Sequence, residues 1–262
     1  MPLADRFDGL LIDLDGVVWI GREPVPGSPE TLRALLDAGK RLVFVTNNPG
    51  KHPAAYAERL AEMGVPVEEA QIVTAGMVAA RLAGEAAGAG GGSAFVIGAA
   101  PLKEMVAATG ARVLEGEEGR EAAAVVVSGH RGFDYGELLT AKRALDRGAA
   151  LFATSHDPTM PFPGGEVPGT GAILAAVETA SGKRATIAGK PERHLFEMAR
   201  EALGECEVVA MVGDRISSDI EGGRRAGLET ILVLSGTTTR EQAEAADPEP
   251  DFVLENLSGL LA

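Results

Sequence analysis

The stretch LLIDLDGVV, Leu10–Val18, is an apolar run interrupted by two aspartates, Asp13 and Asp15. Its first residues are typical of a buried β-strand, and the glycine after Asp15 indicates a turn. A carboxylate at the end of a buried strand costs free energy unless another group pairs with it. The partners of these two aspartates must therefore come from elsewhere in the chain.

Short β-branched runs alternate with longer amphipathic stretches, which predicts βαβ units and a doubly wound parallel sheet of the α/β class. In such a sheet the carboxyl ends of the strands share one edge, where ligands bind. Three further predicted strands end in polar residues: FVTNNPG (44–50), TIAGKPE (186–192) and AMVGDRISSDI (210–220). We expect all of these strand ends to meet LLIDLDGVV at one edge of the sheet.

Four carboxylates would then lie in one cleft, those of Asp13, Asp15, Asp214 and Asp219. Two unit charges about 4 Å apart repel each other by about 4 kcal/mol at an effective dielectric constant of about 20. A divalent cation removes this repulsion, and oxygen ligands without nearby cysteine or histidine favour Mg²⁺ over zinc. The sequence therefore predicts a magnesium site.

The other polar strand ends suit a phosphate group. Thr46 offers a hydroxyl, Asn47 and Asn48 lie near a predicted helix start, and Lys190 offers an ammonium. One of the two early aspartates can then attack phosphorus, while the other protonates the leaving group and later deprotonates water. These residue types indicate phosphoryl-transfer chemistry.

The segments Asp13-Leu-Asp-Gly-Val, Thr46-Asn-Asn, Gly-Lys190-Pro and Gly-Asp214-Arg-x3-Asp resemble, in this order, the four motifs of the haloacid dehalogenase (HAD) superfamily. The Thr-Asn-Asn form and the long insert between the second and third motifs are similar to its class IIA, p-nitrophenyl-phosphatase-like subfamily. The resemblance covers nearly the whole chain. It implies a Rossmann-like core with an inserted α/β cap, and Mg²⁺-dependent hydrolysis of small phosphate monoesters through an aspartyl phosphate.

The resemblance also implies roles for individual residues. Asp13 is expected to be the nucleophile, Asp15 the general acid and base, and Lys190 a catalytic and phosphate-binding cation. Mg²⁺ is expected on Asp13, the main-chain carbonyl of Asp15 and Asp214, with Asp219 just outside the direct ligands. Contacts to the phosphate are expected from Thr46, Asn47, Asn48 and Lys190.

Composition changes at GEAAGAGGGS (84–93) and near 181–184 mark the expected insert. We predict two core segments, 1–84 and 183–262, and a cap at 85–182 that selects the substrate. The first composition change is interpreted as a flexible connection rather than a phosphate-binding loop, because it lacks a preceding strand and a lysine.

Candidate specificity residues are Ser155, His156 and Asp157 in the cap, together with Trp19 at the pocket mouth. Ser155 stands where the subfamily commonly has asparagine, and Gly129-His130 is a second departure from its pattern. The substrate therefore stays open among nucleotides, phosphoglycolate, pyridoxal phosphate and sugar phosphates. Two other functions are also open: a phosphotransferase or mutase on the same fold, and a noncatalytic phosphate-ligand sensor.

The bulk composition narrows the classes of partner. A net charge of −14 argues against nucleic-acid binding, which needs a basic face. No apolar run reaches the length of about 18 residues that a membrane helix needs, and no signal peptide is visible. The single cysteine, Cys206, is consistent with a cytoplasmic protein. A homodimer formed through the cap is a further expectation from the resemblance.

Overall fold

The computed structural model describes residues 1–88, 92–162 and 165–262, which contain both helices and mainly parallel strands. The α-helices are α1 Ser28–Asp37, α2 Pro53–Glu62, α3 Ala75–Ala87, α4 Ala100–Ala108, α5 Tyr135–Asp146, α6 Thr170–Ser181, α7 Arg193–Leu203, α8 Glu221–Arg225 and α9 Arg240–Glu244. The strands are β1 Gly9–Asp13, β2 Trp19–Ile20, β3 Glu23–Pro24, β4 Arg41–Thr46, β5 Ile72–Thr74, β6 Ser93–Ile97, β7 Arg112–Leu114, β8 Ala124–Val127, β9 Ala150–Ala153, β10 Thr159–Phe162, β11 Gly165–Pro168, β12 Thr186–Ile187, β13 Val209–Gly213, β14 Glu229–Val233 and β15 Phe252–Leu254. One turn of π-helix, Ile216–Ile220, follows β13 and leads into α8.

The chain divides into two compact units. The first unit comprises Met1–Thr46, Pro53–Val73 and Lys190–Ala262, and the second comprises Asn47–His52 and Thr74–Gly189. Each unit contains its own sheet and its own apolar core.

The sheet of the first unit has six strands in the order β15-β14-β13-β1-β4-β5. Strand β1 pairs in parallel with β13 on one side and with β4 on the other, and β13, β14 and β15 continue in parallel. The chain therefore runs outward from β1 in both directions, as the predicted doubly wound fold requires. Such a switch in strand order next to β1 opens a crevice at the carboxyl edge, where ligands bind in this class of fold.

All five residues of β1 are buried, because the strand is covered on both faces. Leu10 and Ile12 lie in the same apolar cluster as Phe44 of β4 and Val212 of β13. This packing fixes the register of the three central strands, and with it the position at which each strand ends.

The second unit is built on a five-stranded parallel sheet in the order β12-β9-β8-β6-β7. Its apolar cluster combines alternate residues of β6, β8 and β9 with the inward faces of α5 and α6. Strand β8, AVVV, is buried throughout, as expected for a central parallel strand.

The structure corrects one element of the sequence-based organisation. The sequence predicts that the strand in TIAGKPE (186–192) joins the same sheet as Asp13, but β12 pairs with β9 in the sheet of the second unit. Its short apolar run carries no signal for which of two parallel sheets it joins, so only the tertiary fold could decide this.

The limits of the units also differ from the predicted boundaries at 84/85 and 182/183. Gly84 lies inside α3, which continues to Ala87, so the predicted flexible connection is helical over its first residues. Residues 89–91 of that stretch lie outside the described residues. Within the described part of the chain, no helix is long and apolar enough to cross a lipid bilayer.

Candidate active site and metal centre

Three neighbouring strands of the first unit end in candidate site residues. Strand β1 ends at Asp13, β4 ends at Thr46, and β13 ends at Gly213, directly before Asp214. The parallel register aligns Ile12 with Val212, so these ends meet at one edge of the sheet. The sequence-based prediction of convergence at this edge is confirmed for these three strands.

Lys190 joins two of the carboxylates in a buried ion-pair network. Its Nζ lies 2.7 Å from Oδ1 of Asp13, to which it donates a hydrogen bond, and 2.6 Å from Oδ1 of Asp219. All three side chains are buried, which makes the mutual neutralisation necessary because an unpaired buried charge is very costly. Asp219 is held from its other side, where its Oδ2 accepts the backbone N–H of Arg215 at 3.0 Å.

Asp214 is fixed by the loop that follows β14. Its Oδ2 accepts the backbone N–H of Thr237 at 2.6 Å, and its main-chain carbonyl accepts the hydroxyl of Thr238 at 2.6 Å. Its Oδ1, by contrast, is buried with no hydrogen-bond partner among the described residues. A buried carboxylate oxygen without a donor is the position at which a cation ligand would be expected.

Glycines allow the backbone to approach these carboxylates closely. A Cβ on Gly16 or on Gly236 would collide with the carboxylate of Asp214, and a Cβ on Gly213 would collide with the side chain of Asp219. Gly16 also has a φ of +88°, in the region that favours glycine. The carboxylates therefore lie in a cradle that leaves no room for larger side chains.

Without a cation, the buried carboxylates of the site repel one another. Carboxylate oxygens of Asp13, Asp214 and Asp219 lie within 4.8 Å of one another. Burial raises the pKa of Asp13 and of Asp214, and the charge of Asp219 raises both further, although Lys190 counteracts the effect on Asp13. Burial lowers the pKa of Lys190, but its ion pairs with Asp13 and Asp219 outweigh burial and raise that pKa above its ordinary value.

Asp15 follows two residues after Asp13 and, unlike the buried carboxylates, is exposed. Its Oδ1 accepts a hydrogen bond from the indole N–H of Trp19 at 3.0 Å. Trp19 itself is only 1% exposed, and its contribution to substrate specificity at the pocket mouth stays a prediction. The side chain packs beneath the loop and presents its donor to Asp15.

The residues after Thr46 belong to the second unit. Thr46 is buried at the end of β4, whereas Asn47 and Asn48 lie in the segment Asn47–His52. The Oδ1 of Asn48 accepts the backbone N–H of Gly50 at 2.9 Å, which forms a local turn.

The candidate specificity residues Ser155, His156 and Asp157 form a loop after β9 in the second unit. Ser155 is buried, and its hydroxyl accepts the backbone N–H of Asp157 at 3.3 Å. The carbonyl of Asp157 accepts the N–H of Gly171 at 2.8 Å, which anchors the loop on the first turn of α6. His156 is exposed, so within this loop it is the side chain most available to a ligand.

The comparisons with known proteins agree with this geometry. A model of the haloacid dehalogenase-like hydrolases matches residues 10–112, and a HAD-hydrolase-like model matches residues 187–260. Human glycerol-3-phosphate phosphatase is 36% identical to the chain, over 99% of this chain and 91% of that protein. The chain belongs to the HAD-like hydrolases.

Solved structures place it within that family. A glycerol phosphate phosphatase from Mycobacterium tuberculosis, crystallised in complex with magnesium, superposes with a TM-score of 0.90 at 34% identity, covering 100% of this chain and 78% of that one. A p-nitrophenyl phosphatase from Archaeoglobus fulgidus gives a TM-score of 0.88 at 31% identity, covering 97% and 98%. These relatives are of class IIA, so the resemblance found in the sequence is confirmed.

Sequence reasoning missed the residues that support this HAD-like site. The loop Ser235–Thr238, which holds Asp214, carries no motif of its own in the sequence. Trp19 is the only tryptophan in the sequence, and it lies four residues after Asp15. Because these two residues are not in a regular helix, that spacing does not predict the hydrogen bond between them. Only the turn between β1 and β2 brings the two together.

Replacing Asp214 with asparagine is expected to stabilise the metal-free protein. Because burial raises the pKa of Asp214 in the folded protein, ionising this carboxyl costs more free energy in the folded than in the unfolded state. Its contribution to the free energy of unfolding is therefore fully present below the ordinary carboxyl pKa and is lost as pH rises through the folded-state pKa. At about pH 8 we therefore expect Asp214→Asn to raise the free energy of unfolding, in chelator, by on the order of 1 kcal/mol. Urea unfolding followed by circular dichroism measures this change.

The exposed Asp37 provides a control that removes the same charge from the surface. Asp37→Asn should leave the free energy of unfolding nearly unchanged. A loss of stability in Asp214→Asn at about pH 8 would show that the carboxylate is not under the repulsion described above.

Proposed function

We propose that this HAD-like hydrolase is a Mg²⁺-dependent phosphatase that hydrolyses small phosphate monoesters through an aspartyl phosphate on Asp13. The observation that carries the proposal is the buried group in which Lys190 pairs with Asp13 and Asp219, close to Oδ1 of Asp214, which has no hydrogen-bond partner within residues 1–88, 92–162 and 165–262. Its relatives include phosphatases named for glycerol phosphate and for p-nitrophenyl phosphate.

The residues present fit a magnesium ion. Three buried carboxylates, those of Asp13, Asp214 and Asp219, face one buried ammonium, that of Lys190. The group therefore has two negative charges in excess, which a divalent cation balances, and an all-oxygen donor set suits Mg²⁺.

We assign the direct ligands to Asp13, Asp214 and the main-chain carbonyl of Asp15. Asp219 already uses Oδ2 for the N–H of Arg215 and Oδ1 for Lys190, which supports a place outside the direct ligands. When bound, the ion supplies positive charge that stabilises the phosphoryl oxygens in the transition state.

In the first step a carboxylate oxygen of Asp13 attacks phosphorus, and the bond between phosphorus and the ester oxygen breaks. Asp15 donates its proton to the departing oxygen, so the product leaves as an alcohol. Lys190, hydrogen-bonded to Asp13, orients the attacking carboxylate and offsets charge on the transferred group.

In the second step Asp15, now a carboxylate, takes a proton from water as the water attacks phosphorus. The bond between phosphorus and the Asp13 oxygen breaks, phosphate is released, and both aspartates return to their starting states. The exposure of Asp15 suits a group that must meet both the leaving group and water.

Thr46, Asn47, Asn48 and Lys190 are proposed to bind the phosphate oxygens. Thr46 ends the strand next to β1, so it lies at the same edge of the sheet as Asp13. Hydroxyl, amide and ammonium donors are the groups that recognise a phosphate dianion.

We propose that the second unit is the substrate-selecting cap expected from the family resemblance. His156, with Ser155 and Asp157 shaping its loop, would then read the leaving group. A small polyol phosphate such as glycerol phosphate is the first substrate to test, because two of the relatives are named for it. A cytoplasmic location and a homodimer through the cap stay predictions.

Two rival functions fit the residues less well. A phosphotransferase or mutase would use the same aspartyl phosphate, but such enzymes usually shield it with a helical cap, whereas the second unit contains a five-stranded sheet. A noncatalytic sensor needs no nucleophile, yet Asp13 is present and paired with Lys190.

Asp13→Asn is expected to abolish turnover and leave the fold intact, because an amide cannot accept the phosphoryl group. Phosphate release should fall by at least about a thousandfold, as for loss of a catalytic nucleophile. Radiolabelled phosphate from a labelled ester should remain on acid-quenched wild type and be missing from the variant. Circular dichroism controls for folding, and turnover at a few per cent of wild type would refute the assignment.

Removal of divalent metal with EDTA should abolish phosphatase activity, and Mg²⁺ should restore it. Ca²⁺ should restore it poorly, because it prefers more ligands at longer distances and disturbs the in-line geometry. The measurement is phosphate release by protein whose metal content has been checked by mass spectrometry. Full activity of metal-free protein would contradict the proposed ion.

His156→Ala is expected to change the ranking of substrates more than the rate on p-nitrophenyl phosphate, whose leaving group offers few polar atoms. Loss of one polar contact should cost the preferred substrate about 1–3 kcal/mol, or roughly 5- to 150-fold in kcat/KM. A panel of phosphorylated metabolites measures this, with His194→Ala in α7 as the control. Equal slowing of every substrate would mean that the loop serves folding or closure instead.

A further inference from the structure

We propose that Trp19 is the positioning residue that orients the proton-transferring carboxylate of Asp15. The inference rests on the proposed function, because it assigns Trp19 a part in the proton transfers of Asp15. Its basis is the hydrogen bond from the indole Nε1 of Trp19 to Oδ1 of Asp15, which is 3.0 Å long.

The backbone around this bond is tightly defined. The N–H of Gly16 donates to the carbonyl of Trp19 at 2.7 Å, and the N–H of Trp19 donates to the carbonyl of Leu14 at 3.2 Å. Asp15 and Trp19 also form an isolated β-bridge, and Trp19 begins the hairpin of β2 and β3. The donor and acceptor are therefore held in one closed turn.

Two residues of α2 lock the indole ring in place. The guanidinium of Arg59 lies 3.9 Å from the centre of the Trp19 ring, and the ring of Tyr56 lies parallel to it, with 6.5 Å between centroids. Arg59 is tied back to the hairpin, since it donates to the carbonyl of Gly21 at 2.7 Å. Trp19 is 1% exposed, so water cannot easily replace Asp15 as the acceptor of its N–H. Losing this hydrogen bond would leave a buried donor unsatisfied, which costs free energy.

The chemistry of the indole decides which oxygen of Asp15 carries the proton. An indole N–H can only donate a hydrogen bond, and the carbonyl oxygen of a carboxylic acid accepts more strongly than its hydroxyl oxygen, so the contact with Trp19 favours Oδ1 as the oxygen without a proton. The proton that passes to the leaving group and returns from water is thereby assigned to Oδ2. Holding a proton donor in one geometry is the kind of positioning on which efficient transfer depends.

A purely structural Trp19 would make a different prediction. If the residue only fills space, its replacement lowers stability and affects all substrates alike. If it orients Asp15, the effect depends on how strongly the leaving group needs a proton. An alkoxide needs one as the ester bond breaks, whereas p-nitrophenolate leaves without help.

The test is Trp19→Phe, which keeps an aromatic ring and removes the N–H. With glycerol phosphate, kcat should fall roughly 10- to 100-fold while KM changes little. With p-nitrophenyl phosphate, the first turnover should keep nearly its wild-type rate, and later turnovers should be slow because water attack still needs Asp15. Stopped-flow absorbance should therefore show a burst of about one p-nitrophenol per active site, which wild type lacks or shows more weakly.

Phe7→Leu is the matched control, because it also replaces a fully buried aromatic side chain of the first unit with a smaller apolar one. Phe7 packs edge-to-face on Phe252, 6.3 Å away between centroids, and has no hydrogen-bonding group to lose. It should change the rates on both esters by the same small factor and produce no burst. The same pattern in Trp19→Phe, or unchanged rates in that variant, would overturn the positioning role.

Asp15→Asn separates this inference from the proposed function. If Asp15 transfers the proton, Asp15→Asn should lose turnover of glycerol phosphate whatever Trp19 does. Retained turnover would refute the role of Asp15 itself. Loss in Asp15→Asn together with wild-type behaviour in Trp19→Phe would refute only the inference about Trp19.

Spectroscopy provides a readout that does not depend on activity. Trp19 is the only tryptophan, so a ¹⁵N-labelled sample should give a single indole N–H cross-peak. Asp15→Ala removes the acceptor and should shift this peak strongly upfield in the proton dimension. Asp15→Asn keeps an acceptor oxygen and should shift it less, while an unmoved peak in Asp15→Ala would show that the hydrogen bond does not form.

Discussion

The buried ion pairs of Lys190 with Asp13 and Asp219 are the interaction on which the rest of the site depends. Burying three charged side chains is tolerable only because each finds a partner at 2.6–2.7 Å. The same contacts join the end of β1 to segments that lie 177 and about 200 positions later in the chain. They therefore fix the architecture of the candidate centre as well as its charge.

The excess of carboxylate over ammonium explains why the surroundings are built as they are. Gly16, Gly213 and Gly236 let backbone approach Asp214 and Asp219 so closely that no Cβ would fit. Thr237 and Thr238 then hold Asp214 by backbone and hydroxyl donors, and one carboxylate oxygen of Asp214 has no hydrogen-bond partner among the residues that the structure describes. Such a centre is poorly satisfied on its own and suited to a hard divalent cation, which is the arrangement that a HAD-like phosphatase requires.

In the second unit, neutral polar contacts link the ends of β8 and β9 to the start of α6. The buried hydroxyl of Thr154 lies 3.2 Å from that of Ser128 and 3.3 Å from that of Thr170, and the Thr170 hydroxyl accepts the N–H of Gly129 at 2.9 Å. This network anchors the loop that carries His156 and the turn that carries His130. Both loops lie in the second unit, whereas Asp13, Lys190, Asp214 and Asp219 lie in the first.

The sequence by itself determined the parallel α/β class and the family, and the order and spacing of its motifs predicted Asp13, Asp15, Lys190, Asp214 and Asp219 as site residues, because each motif is a local pattern at a strand end. It could not determine that the strand before Lys190 joins the other sheet, since a four-residue apolar run suits either one. Nor could it show that Trp19 is buried and hydrogen-bonded to Asp15, or that one oxygen of Asp214 finds no partner in the described part of the chain. Those features depend on which distant backbone and side-chain groups the folded chain brings within hydrogen-bond distance, and only the tertiary structure decided them.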